Sequence, residues 1–86
     1  MKKIEVAVTA HAGYRGGEYP CSFTVARRNI AVAGIKSQWI GQDAEGRDRM
    51  RFFRVQGSDG GMYLLSYDEM TGEWYLEYSS ARGIHG

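Results

Sequence analysis

Segment after segment of this chain alternates apolar and polar residues with a period of two, and glycine-rich clusters separate the segments. A period of two places successive side chains on opposite faces of an extended strand, so each segment reads as a half-buried strand. Ile4, Val6 and Val8 alternate with Glu5, Ala7 and Thr9. Cys21, Phe23 and Val25 follow Pro20, which suits the first residue of a strand. Ile30, Val32, Ile35, Trp39 and Ile40 form a longer segment whose phase shifts near Gly34, predicting a bulge or bend. A helix over 35–40 is the competing reading. Arg51–Gln56, then Tyr63, Leu65 and Tyr67, then Trp74, Leu76 and Tyr78 supply three more faces.

The punctuation agrees with strands. Arg27-Arg28-Asn29 reads as a turn, Gly57-Ser58-Asp59-Gly60-Gly61 as a hairpin, and Asp68–Gly72 as a second hairpin loop. Twelve glycines against a single proline fit short strands joined by tight turns. The expected fold is all-β: a small antiparallel meander of about six strands forming an SH3-like or partly open barrel. Residues 1–78 make the single domain and 79–86 a flexible tail. With 43% hydrophobic and 13% aromatic residues the chain can build a core. At this length the net stability is expected at roughly 4–13 kcal/mol.

One cysteine, Cys21, permits no intramolecular disulfide. Together with an N-terminus lacking a long apolar signal core, this points to the cytoplasm. No apolar run approaches the ~20 residues that span a membrane, so no membrane partner is expected.

Chemistry is sparsely signalled. His11 and Cys21 stand ten apart and His85 lies near the C-terminus, without the close ligand pairs of a metal site. His11 with Cys21 is the one nucleophile–base pair on offer, and Cys21 fits better as a small apolar core residue. Asp68, Glu69 and Glu73 flank a hairpin loop, where carboxylates are solvated and unsuited to acid–base work. Gly13–Gly17 is followed by Pro20 and a strand rather than a helix, so it is a turn and not a phosphate cradle. Neither a catalytic residue, a metal nor a cofactor is expected, and the chain reads as a non-enzymatic accessory or binding domain.

Charge is uneven along the chain. Residues 1–26 carry +1, residues 27–54 carry +4, and residues 55–86 carry −4. The basic middle contains Arg51-Phe52-Phe53-Arg54, where alternation sets Arg51 with Phe53 on one side and Phe52 with Arg54 on the other. One phenylalanine is expected in the core and the other at the surface. Small β-barrels bind single strands by stacking bases on aromatics in a positive groove. The candidate nucleic-acid-binding set is therefore Arg27, Arg28, Arg47, Arg49, Arg51, Phe53 and Arg54. The competing expectation is that these arginines pair across strands with Asp68, Glu73 and Glu77 and cancel the field. Trp39, Tyr63, Trp74 and Tyr75 exceed what so small a core can bury. They support the alternative of a protein-interaction or homodimerisation module that uses exposed Trp and Tyr and an edge strand.

Several of these stretches together resemble a known family. Phe52-Phe53-Arg54-Val55, Asp59-Gly60, Tyr63-Leu64-Leu65-Ser66-Tyr67-Asp68 and Trp74-Tyr75-Leu76 combine with Pro20, Phe23, Ile30, Val32, Ile35 and Trp39. Over residues 18–78 the chain resembles a bacterial family of small domains of unknown function. That family occurs as stand-alone proteins or appended to proteins related to Y-family DNA polymerases. At Arg51-Phe52-Phe53 phenylalanines stand where the family has tyrosines. The resemblance implies a β fold and a setting near DNA repair, with nucleic acid or a DNA-repair protein as partner.

Overall fold

The computed structural model describes residues 4–12, 18–42, 46 and 49–80. Six strands follow one another: β1 (Ile4–Ala12), β2 (Glu18–Val25), β3 (Arg28–Gln42), β4 (Arg49–Gly57), β5 (Met62–Asp68) and β6 (Trp74–Ser80). Each pairs antiparallel with the next, and Ile4–Val6 of β1 pairs Trp74–Leu76 of β6 to close the barrel. The expected all-β meander is what forms. Residues 35–40 belong to β3, so the helical alternative fails. β6 also continues through Ser79 and Ser80, which pair Tyr63 and Met62. Residues 81–86 of the expected tail, and the Gly13–Gly17 loop, lie outside the described residues.

The inner face holds Phe23, Ile30, Phe53, Val55, Tyr63, Leu65, Trp74 and Leu76, with Val6, Val8, Ala10, Val25, Val32 and Tyr67 packed against them. Rings run through this core. Phe23 meets Tyr63 edge-on at 4.9 Å, and Trp74 contacts both Phe53 at 5.5 Å and Tyr67 at 4.8 Å. Such pairs add stabilisation beyond the area they bury.

Bulges decide which residues reach this core. On β2, Thr9 pairs Ser22 but Ala10 pairs Pro20, so Cys21 is the extra residue. Pro20 takes the buried position and Cys21 is only half-buried, a correction to its expected place beside Phe23 and Val25. On β3 the register shifts at Ala33 and again at Lys36, which is the phase break expected near Gly34. On β6, Leu65 pairs Leu76 while Leu64 pairs Tyr78, leaving Glu77 as the bulge. Tyr78 is thereby turned outward and is 53% exposed, against the expectation that it follows Trp74 and Leu76 inward.

Turn chemistry fixes the register. The β2–β3 turn is Ala26-Arg27, both at positive φ, so it falls one residue earlier than expected and Arg28 and Asn29 lie in β3. In the β5–β6 loop, Asp68 is buried and its Oδ1 accepts from the Met70 amide at 2.8 Å and the Thr71 amide at 3.3 Å. This is a structural carboxylate, not the solvated one expected.

The β4–β5 turn is tied to the core by Asp59. Its Oδ1 accepts from the Gly61 amide at 2.9 Å, and its Oδ2 accepts from the Tyr63 hydroxyl. The Tyr63 bond, followed by that of Gly61, holds the Asp59 carboxyl below its usual range. Burial, followed by the bond to Asp59, pushes the Tyr63 hydroxyl up to about 12. A lowered carboxylate contributes stability above its unfolded pKa of 3.8 and loses it as pH falls through the folded value. A raised phenol contributes below its unfolded value of 10.0 and loses it as pH rises through about 12. Tyr63→Phe is therefore expected to flatten the stability profile below pH 3.8 and between pH 10.0 and about 12. Urea melts across both windows check this, and slopes identical to those of the parent would refute the coupling.

Candidate interaction face

The strand registers lay out the outer face of the barrel as rows of side chains. Trp39, Phe52, Ser66 and Tyr75 stand opposite one another across β3, β4, β5 and β6. One step along, the row is Ser37, Arg54, Leu64 and Tyr78; Gln56, Met62 and Ser80 follow in the next. Neighbouring strands are about 4.8 Å apart, so a four-residue row spans roughly 14 Å.

Trp39 and Phe52 stack with ring centroids 5.5 Å apart and an interplanar angle of 17°. Trp39 remains 43% exposed. Gly41 permits the stack: a Cβ there would sit 3.1 Å from the Phe52 ring. Beside it, Arg54, Met62, Tyr63, Leu64 and Tyr78 line a depression of ≈ 240 Å³. Arg54 is exposed and has no ion-pair partner among the described residues. Ser66, fully buried at the centre of the first row, donates to Glu77 Oε2 at 2.6 Å. The Tyr75 hydroxyl donates to Glu73 Oε1 at 2.8 Å, and this bond is the first cause of its being pushed up to about 12.

The seven residues named from sequence do not converge. Arg27 and Arg28 lie at the β2–β3 turn, and Arg28 reaches Asp59 of the β4–β5 turn at 3.7 Å. Arg49 and Arg51 lie at the other end of β4, roughly 25 Å away at the ordinary strand rise. Both bond Glu69, at 3.4 and 3.3 Å. Arg28, Arg49 and Arg51 are thus paired, but by Asp59 and Glu69 rather than by Asp68, Glu73 and Glu77. Exposed pairs of this kind add little stability, yet they offset local positive charge. Phe53 is 1% exposed and lies in the core, so it is not a stacking surface; Phe52 is the outer ring. Arg47 lies outside the described residues. Of the described members of the named set, only Arg54 sits among exposed aromatics.

Sequence reasoning missed Phe52, Leu64 and Tyr78 as members of one face. The signal for Phe52 was its neighbour: a charged Arg54 belongs outside, and two positions back along a strand is the same side. No comparable signal marks Tyr78, because the Glu77 bulge leaves no trace in composition.

His11 lies against Tyr19, with ring centroids 6.2 Å apart, and stands opposite it in the β1–β2 ladder. Among the described residues no three His, Cys, Asp or Glu side chains are grouped to hold a metal ion. Neither a protein-family model, nor a curated protein sequence, nor a solved structure matches the chain.

Proposed function

We propose that this is a non-enzymatic protein-interaction domain whose binding surface is the outer face built on Trp39, Phe52, Arg54, Leu64 and Tyr78. The observation that carries the reading is convergence. The registers gather the exposed Trp39 and Tyr78 and the half-buried Phe52 and Leu64 around Arg54, which has no ion-pair partner among the described residues, while the other described candidate arginines are split between the two ends of β4. Trp, Tyr and Arg are the residues that dominate protein interfaces. The partner that fits is an extended segment with apolar side chains for the depression and a carboxylate for Arg54.

The test is selection from a display library of random peptides about a dozen residues long. Enriched peptides are expected to be apolar with an acidic residue, and to lose at least ~10-fold in affinity against Arg54→Ala or Tyr78→Ala. Both positions are exposed, so the variants should melt like the parent. No enrichment, or enriched peptides indifferent to both substitutions, would overturn the proposal.

The stacked pair beside a free guanidinium also favours a second reading, contact with single-stranded nucleic acid. An oligonucleotide anisotropy titration at about 50 and about 200 mM salt separates the two. Oligonucleotide binding that weakens only modestly between these salts, as a face with one free cation predicts, and that is lost in Trp39→Ala would favour nucleic acid, whereas no binding at either salt would leave the peptide reading.

A further inference from the structure

β3 is a fifteen-residue strand that changes partner along its length. β2 reaches Arg28–Ala31, and from Val32 onward only the β4 side is paired among the described residues. An edge of this kind presents unpaired amides and carbonyls to solvent. Natural sheets protect such edges with bulges, lysines or prolines. Here Lys36 sits at a bulge, but the protection stops there. From Ser37 to Gln42 the ladder with β4 runs without a shift, and the sequence Ser-Gln-Trp-Ile-Gly-Gln has neither charge nor proline.

We propose that two copies of this chain pair antiparallel through Gln38–Gln42 of β3, about a two-fold axis at Ile40. Opposed residues in a ladder must share a face of the sheet. Trp39 and Gly41 are both on the outer face, opposite Phe52 and Met50, and Gln38, Ile40 and Gln42 are on the other. Setting Ile40 against Ile40 then sets Trp39 against Gly41 and Gln38 against Gln42. A large ring meets a residue without a side chain, and two primary amides meet each other. Ile40, 52% exposed in the single chain, gains an apolar partner on the axis. The segment is thus its own complement in size, polarity and charge, which is why the occupant is a second copy and not an unrelated strand. The pairing also brings two Trp39–Phe52 stacks onto one continuous outer face.

Five residues of edge make a small interface beside the roughly 1,000 Å² of a stable complex, so the dimer should form only at about 10 µM–1 mM. Sedimentation equilibrium on the full chain is expected to show mass rising from monomer to dimer across that range. Ile40→Lys and Ile40→Glu each place like charges face to face on the axis. Each alone should weaken association at least ~10-fold, and an equimolar mixture of the two should dimerise again. Because Ile40 is exposed, each variant should keep the parent's near-ultraviolet circular dichroism. In a Cys21→Ser background, Ile40→Cys should oxidise to a covalent dimer while Ile4→Cys should not. A parent that stays monomeric to 1 mM, or an Ile40→Lys variant that dimerises like the parent, would overturn the proposal. Arg54→Ala and Tyr78→Ala leave this edge intact, so failure here does not bear on the outer face.

Discussion

Phe53→Ala is expected to cost about 3–5 kcal/mol, while Phe52→Ala one residue away costs about 1 kcal/mol. Phe53 is 1% exposed, stands opposite Leu65 in the ladder, and holds the Trp74 ring at 5.5 Å. Its truncation leaves a ring-sized cavity in a small core. Against a total stability of roughly 4–13 kcal/mol, that loss removes from about a quarter to all of it. Phe52 is half-buried on the outer face and gives up only its stack with Trp39. Its alanine variant should fold, melt slightly earlier and lose peptide binding. Urea melts followed by tryptophan fluorescence decide the matter. Equal costs, or a larger cost at Phe52, would mean that β4 is turned the other way.

This pair shows how the fold was legible while the site was only partly so. Alternation identifies strands from Ile4, Val6 and Val8 or Tyr63, Leu65 and Tyr67 because burial on one face forces a period of two. An adjacent Phe52-Phe53 defeats it, since either ring satisfies the pattern until Arg54 and Val55 are used to choose. Single-residue bulges at Cys21, Ala33, Lys36 and Glu77 shift everything beyond them by one position. They are set by barrel curvature, a property of the closed sheet and not of any local stretch. Charge misled for a related reason. The basic middle and acidic end of the chain are far apart in sequence, but the meander folds the β5–β6 loop back beside the start of β4. Glu69 therefore meets both Arg49 and Arg51, and its amide donates to the Arg49 carbonyl at 3.3 Å. A linear count of charge shows a field that the fold offsets at Arg28, Arg49 and Arg51.

Gly57→Ala should be among the most damaging single-methyl changes in the chain, with an expected cost of about 3 kcal/mol. The reason is crowding and not backbone conformation, because Gly57 is not among the positive-φ glycines. A Cβ at this position would lie 2.7 Å from Asp59 Oδ1, 2.8 Å from Ile30 Cγ2 and 2.9 Å from Tyr63 Cε1. No single rotamer change relieves all three. Moving Asp59 breaks its bonds to the Gly61 amide and the Tyr63 hydroxyl. Moving Tyr63 disturbs its edge contact with Phe23, and moving Ile30 shifts the β2–β3 hairpin at its pairing with Phe23. The Gly57 amide also bonds the Gly61 carbonyl at 2.8 Å, so retreat of the backbone opens the turn. Gly60→Ala is the matched control. There φ is +89° but nothing lies within 4 Å of the added carbon, so only the left-handed conformation is penalised, at about 1 kcal/mol. Chemical denaturation of the two variants side by side separates crowding from conformation. A Gly60→Ala variant as unstable as Gly57→Ala would place the difficulty in the turn's backbone. A Gly57→Ala variant within about 0.5 kcal/mol of the parent would show that Asp59, Ile30 and Tyr63 are not packed against this glycine.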